Sequence, residues 1–360
     1  MGIAGAPSVD FPLFDEAAHQ YDALLVASFG GPEGTADVIP FLENVTRGRG
    51  IPRDRLLEVA EHYYHFDGVS PINQQNRDLI AALERNFAEH GLDLPIYFGN
   101  RNWTPFFAET IAKMQADGVQ RALVFVTSAF SSWSGCRQYR EDLLRVIEPL
   151  GLAAPHFDKL RMFGNHPGFI EPMVDRTAEA LQRIPADRQA ETVIVFTAHS
   201  IPLTMAEHCR YEAQLVDAAT TVMAGIGEQR WQIAYQSRSG SPHTPWLEPD
   251  ISDVLSDLRS EGVTDVVVVP IGFISDHMEV LFDLDHEAKE HAEEIGITMV
   301  RAGTVGTHPV FVNMIRELIL ERMTDHPMRR FVGALGPTHD ICPIDCCLLG
   351  VPTASVAGSA

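Results

Sequence analysis

His199 stands just beyond a β-branched apolar run at 192–197, a run with the composition of a buried strand. A neutral imidazole at a strand end can accept a proton or ligate a metal, and strand ends are where open α/β sheets bind ligands. A second run, 266–271, leads into Glu279, Asp283 and Glu287, spaced four apart. On a helix that spacing gathers them on one face, although like charges so placed destabilise a bare helix by a few tenths of a kcal/mol. Such a row is a solvated face or a set of oxygen ligands. Val280, Leu281, Phe282 and Leu284 crowd it with apolar bulk. Hard carboxylates beside the imidazole of His277 suit a divalent ion such as Fe²⁺ in transit.

Five cysteines form the third group: Cys136, Cys209, Cys342, Cys346 and Cys347, three of them in one short window. Zinc, a strained disulfide and a [2Fe-2S] cluster are all open on this spacing. Adjacent cysteines make poor disulfide partners. Zinc more often takes Cys-x-x-Cys pairs with a second pair or histidines, which we do not read in this tail. A [2Fe-2S] cluster takes four thiolates, so a fourth would come from Cys136 or Cys209.

These groups need elements to hold them. Short apolar runs at 23–29, 96–98, 122–127, 192–197, 232–236 and 266–271 alternate with amphipathic stretches at 77–90, 106–117, 170–183, 211–224 and 249–260. Alternating strands and helices predict βαβ units and parallel sheets covered on both faces. The turn after 24–29 and the turn after 193–197 echo each other half a chain apart, which predicts two similar α/β domains with a boundary inside 151–191. After a helix at about 310–323, residues 333–360 are weak in core-forming pattern and need tethering to be ordered.

Composition narrows the function. The chain has 360 residues, 27 Lys+Arg against 49 Asp+Glu, and a net charge of −22. Such an acid excess repels phosphate backbones, so no nucleic-acid partner is expected. The longest apolar stretch, 266–274, is far short of a ~20-residue membrane span, and nothing at the N-terminus reads as a signal peptide. A cytoplasmic protein is expected. No dinucleotide fingerprint, Walker lysine or nucleophile elbow is present, so the chemistry is proton and metal handling.

Several ordered motifs resemble the signatures of ferrochelatases: Thr197-Ala198-His199-Ser200-Ile201-Pro202, Pro270-Ile271-Gly272-Phe273 with Asp276-His277-Met278-Glu279, and Gln236-Ser237 before Pro245-Trp246-Leu247. Val69-Ser70-Pro71-Ile72 and Tyr97-Phe98-Gly99 do so too, while residues 44–50 and 99–103 look like the actinobacterial branch. The resemblance runs from about residue 22 to about residue 323. It implies two Rossmann-like domains in the class II chelatase arrangement, at 20–165 and 166–330, with the substrate cleft between them and a cysteine-bearing tail at 331–360.

It further implies insertion of Fe²⁺ into a porphyrin, with His199 and Glu279 on opposite faces of the macrocycle and Asp283 and Glu287 as a metal relay. The actinobacterial likeness points to coproporphyrin III, whose propionates would meet Arg47 (beside Arg49), Ser70, Tyr139 and, more weakly matched, Tyr63. Protoporphyrin IX as substrate, or a carrier that never catalyses, are the alternatives. The likeness implies a [2Fe-2S] cluster on Cys136, Cys342, Cys346 and Cys347, with Cys209 left over. A monomer in transient contact with neighbouring heme-pathway enzymes is expected. Three positions depart from relatives: Phe29 replaces an iron-ligating tyrosine, Asn102 a histidine of an outer metal site, and His62 a propionate-binding arginine.

Overall fold

Two four-stranded, all-parallel sheets organise the chain in a computed structural model that describes residues 13–48, 50–239 and 243–350. Arg49 falls outside the described residues. The first sheet holds β1 (Ala23–Ser28), β2 (Ile96–Asn100), β3 (Arg121–Val126) and β4 (His156–Lys159) in the order β2-β1-β3-β4. The second holds β5 (Val193–His199), β6 (Trp231–Gln236), β7 (Asp265–Val269) and β8 (Thr298–Arg301) in the order β6-β5-β7-β8. The two orders are the same, so β1 and β5 are equivalent central strands. The α/β reading and the internal echo are both borne out.

The central strands form where the apolar runs are continuous. Every residue of β1 and β7 is buried, as helices cover both faces of a parallel sheet. Two of the four edge strands, β4 and β8, escaped the sequence reading. Each is four residues long, half exposed, and carries charge (His-Phe-Asp-Lys and Thr-Met-Val-Arg), so no apolar run marks it. The helices Thr35–Val45, Arg53–Tyr64 and Gln138–Ile147 were also missed; Pro40 interrupts the first.

Both sheets face one aromatic seam. Phe125 of β3 stacks on Phe163 at 5.3 Å, and Phe163 meets Phe169 and Phe311 at 5.9 and 5.8 Å. Phe311 lies on the helix Pro309–Met323, which packs on both Ile72–Glu89 and Pro167–Leu181. That helix also carries Glu321, whose carboxylate takes a two-pronged ion pair from buried Arg161 at 2.7 and 2.9 Å. Helix 309–323 is thereby pinned to the segment after β4.

The tail is tied down by ordinary contacts. Arg137 donates to the carbonyls of Ile344 and Cys346 at 2.8 and 3.0 Å, Asn165 donates to Gly336 at 2.6 Å, and Asp340 accepts from Arg329 at 2.8 Å. Among the described residues no helix is long and apolar enough to cross a membrane.

Removing one partner of a buried ion pair leaves an uncompensated charge, at a cost of about 3–5 kcal/mol. Arg161→Met is therefore expected to lose about that much in urea unfolding, and the double variant Arg161→Met/Glu321→Leu to regain most of it. A single variant as stable as the wild type would contradict this account of the seam.

Candidate active site

His199 is the last residue of β5 and pairs with Gln236 at the end of β6. Beside it, the chain leaving β7 turns back against β5. A side chain at Gly272 would strike the Cβ of Ala198 at 2.6 Å, so only glycine lets this loop pass, and the Gly272 N–H donates to Thr197 at 3.0 Å. This close approach aims the segment that follows at His199. Two motifs separated in sequence also meet here: Ser200 Oγ donates to the Leu247 carbonyl at 2.8 Å, and the Leu247 N–H donates to Ile201 at 2.9 Å.

The result is a direct contact: His199 Nε2 lies 3.5 Å from Glu279 Oε1. Nδ1 of His199 donates to the Ser200 carbonyl, and Tyr211 Oη donates to the His199 carbonyl at 3.1 Å, so Nε2 is the nitrogen presented to the cleft. Glu279 is held through its backbone. Its N–H donates to His277 Nδ1 at 3.3 Å, and its carbonyl accepts from Gln236 Nε2 at 2.6 Å. Burial disfavours an imidazolium at His199, but the Glu279 carboxylate outweighs it and raises the pKa to about 9. In return, burial raises Glu279 while the His199 cation more than reverses this, lowering it to about 2. The pair is ionic at neutral pH.

The acidic row begins as expected and then changes pitch. Met278–Val280 is a single α-helical turn, and Leu281–Ala288 continues as a π-helix, the wider turn often found at functional sites. Asp283 accepts a hydrogen bond from Ser237 Oγ, which a left-handed backbone at Ser237 (φ 62°) presents. Burial raises Asp283 to about 7, Ser237 working against it and the charges of Glu279 and Glu287 adding to it. Glu287 is exposed at the outer end and is also raised, chiefly by desolvation. Adjacent acids thus differ in charge at neutral pH: Glu279 is ionised and Asp283 is close to half-protonated.

Arg301, at the end of β8, clamps this segment and was not foreseen. It reaches Asp285 at 2.6 and 2.7 Å and Asp276 at 2.9 Å. No motif surrounds it, so only the edge strand that carries it could have revealed it. From the other sheet, Gln75 donates to the Asp276 carbonyl at 3.1 Å. His62 stacks on Phe282 at 3.9 Å and His65 on His286 at 4.4 Å, so helix Arg53–Tyr64 lies against the π-helix across the cleft.

The remaining candidates lie on the first sheet's side. Tyr63 faces the acids: burial, then the charges of Glu279 and Asp283, push its hydroxyl pKa up. Ser70 is buried against Gly31, and Tyr139 is buried beneath the guanidinium of Arg101, 4.8 Å from its ring. Arg47 is exposed beyond the helix Thr35–Val45. None of these last three touches the His199–Glu279 pair. Phe29 is partly exposed at the end of β1 under Arg101, and the Asn102 carbonyl accepts from Asn44.

The cysteines gather elsewhere. Cys136, Cys342, Cys346 and Cys347 line one small recess with Arg137 and Lys159, and Cys209 does not. Cys136 lies on a π-helical turn, Trp133–Arg137, and stands in this recess beside Cys342 and Cys347 as a free thiol. Hydrogen bonds from Cys136 and Cys346, helped by the Lys159 ammonium, favour a thiolate at Cys342. The sequence reading found no histidine for zinc in this tail, and the structure corrects it. His339 Nε2 lies 3.6 Å from Cys346 Sγ, and His339, Cys342 and Cys346 bring ligand atoms within 4.8 Å of one another. The His339-x2-Cys342 spacing was the missed signal.

Comparison with known proteins agrees with this geometry. The ferrochelatase family model matches residues 21–323. A ferrochelatase of Rhodopirellula baltica is 54% identical over 94% of this chain and 96% of its own. Coproporphyrin III ferrochelatases of Streptomyces coelicolor and Nocardia farcinica are each 51% identical, over 95% and 93% of this chain and 97% and 95% of theirs. Among solved structures, SirB from Bacillus subtilis with Fe³⁺ superposes with a TM-score of 0.51 at 13% identity, covering 85% of this chain and all of that one, a likeness of fold. By the span of the family match and the identity of about one half over nearly the whole length, the chain belongs to the ferrochelatase family.

Proposed function

We propose that this protein inserts Fe²⁺ into coproporphyrin III, with His199 and Glu279 as the reacting pair. The observation that carries the reading is the imidazole–carboxylate contact at two strand ends, beside a row of acids, in a ferrochelatase-family chain. Coproporphyrin III as the substrate is supported by the close relatives that bear that name.

The reaction exchanges two pyrrole N–H protons for one Fe²⁺. A macrocycle needs about 3.5–4 Å of van der Waals room on each face, so it cannot enter between atoms 3.5 Å apart without parting them. Parting removes the carboxylate field that keeps His199 protonated, and burial then favours neutral imidazole. Entry of the substrate thus releases the imidazolium proton to the solvent that reaches this half-exposed pair and leaves Nε2 as the base for a pyrrole N–H. Glu279 loses its imidazolium partner at the same moment, so its carboxylate would serve as ligand for incoming Fe²⁺, which takes the imidazolium's place as counter-charge. Asp283, titrating near neutrality, passes on metal or takes the second proton, and Glu287 is the outer oxygen of the row. Arg47 is free to take a propionate with both guanidinium nitrogens, with Ser70, Tyr139 and Tyr63 as further contacts.

The reading includes a [2Fe-2S] cluster held by Cys136, Cys342, Cys346 and Cys347. The donors fit: four thiols share one recess, and the Lys159 ammonium offsets their charge. When bound, the cluster would cross-link the tail to the turn at residue 136; chelation itself transfers no electrons. Assembly on free thiols suits a reducing cytoplasm, and a monomer divided at 20–165, 166–330 and 331–360 completes the reading.

In anaerobic Fe²⁺ insertion followed by absorbance, coproporphyrin III should turn over faster than protoporphyrin IX; the reverse order would sink the substrate assignment. His199→Ala and Glu279→Gln should each lose at least about 100-fold in kcat, the usual scale for a lost acid–base group. A variant with near wild-type kcat would remove that residue from the mechanism. Protein purified without oxygen should be brown and contain two iron and two sulfide per chain, and Cys136→Ser should lose both. Colourless wild-type protein without sulfide would end the cluster assignment.

A further inference from the structure

We propose that the cysteine tail is, in addition, a self-contained site for one soft divalent ion, Zn²⁺, bound by His339, Cys342, Cys346 and Cys347 and excluding the cluster. The inference uses the recess assigned above to a [2Fe-2S] cluster but needs no iron–sulfur assembly.

Four thiols line this recess and His339 stands beside it, which makes one donor more than the cluster uses. His339 Nε2 is 3.6 Å from Cys346 Sγ, and Cys346 Sγ is 3.5 Å from Cys347 Sγ. Zinc bonds of about 2.3 Å to sulfur and 2.0–2.1 Å to nitrogen put the corners of a tetrahedron about 3.5–3.8 Å apart, so both pairs already stand at bonding separation. Cys342 completes a trio with His339 and Cys346 whose ligand atoms lie within 4.8 Å of one another.

Adjacent cysteines usually point apart, but here both sulfurs share one side, with a left-handed backbone at Cys347 (φ 54°). All four ligands fall within residues 339–347, so the loops to be closed are short and cost little entropy. The cluster, by contrast, must reach Cys136. Both metals claim Cys342, Cys346 and Cys347, so occupancy by one excludes the other. Docking through Arg137 and Asp340 holds the tail in place in either state.

The two sites come apart under mutation. Cluster-free full-length protein is titrated with Co²⁺ without oxygen, following thiolate-to-cobalt charge transfer, which the sulfur-free His199–Glu279 site cannot produce. One Co²⁺ per chain should give this absorption, and one Zn²⁺ should bleach it. Losing supporting hydrogen bonds around a metal ligand alone costs 10–100-fold in affinity, so His339→Ala, and His339→Asn as a second variant, should weaken Zn²⁺ at least tenfold. Both should still accept the cluster on reconstitution. Cys136→Ser should do the opposite, binding Zn²⁺ within about threefold of wild type while failing to hold a cluster. No thiolate-to-cobalt band, unchanged affinity in both His339 variants, or loss of the band in Cys136→Ser would each overturn the proposal. Wild-type protein that binds Zn²⁺ in this way but never yields sulfide would refute the cluster alone.

Discussion

Everything in the cleft depends on one electrostatic contact, the ion pair between His199 and Glu279. Neither strand end alone makes a reactive group. His199 without Glu279 would be a half-buried imidazole that desolvation pushes toward its neutral form, and Glu279 without His199 a carboxylate raised by desolvation. Together they store a proton that the arrival of a flat substrate would release. On the proposed reading, the fold serves to hold these two side chains beyond the carboxyl ends of the interior strands β5 and β7, facing the helix Arg53–Tyr64 of the first half.

That positioning is built in layers. Gly272 lets the β7 loop lie flush on Ala198, His277 and Gln236 hold the Glu279 backbone, and Arg301 clamps the next turn by way of Asp276 and Asp285. Behind them the aromatic seam and the buried Arg161–Glu321 pair join the helices that back both sheets. The backbone that carries each side chain is therefore held in place, and parting the pair needs only side-chain movement.

Much of this was legible in the sequence, for physical reasons. Fully buried parallel strands must be continuous apolar runs, so six of the eight strands announced themselves and placed His199 and the acidic segment at strand ends. The edge strands β4 and β8 did not, because each has four residues broken by charged side chains, whereas the other edges β2 and β6 keep apolar runs; Arg301 was lost with β8. A four-residue spacing read as an α-helix hid the π-helical turn that follows Glu279. Contacts between distant segments left no local trace: Gln75 with Asp276, His62 with Phe282, and Arg137 with the tail. His339 was legible, three residues before Cys342, and was overlooked.

The charge state of His199 tests the central contact most directly. A histidine whose pKa is raised by a partner keeps its proton, and the stability that comes with it, until pH rises through the folded value. In ¹⁵N NMR of the substrate-free protein, with the ring assigned through His199→Gln, His199 should be an imidazolium through pH 8 and titrate near 9. In Glu279→Gln it should titrate well below 9, because the largest cause that opposes burial is gone and only the Ser200 carbonyl and the more distant Asp283 still favour the cation. A wild-type His199 already neutral at pH 7 would contradict the ion pair and the proton release built on it.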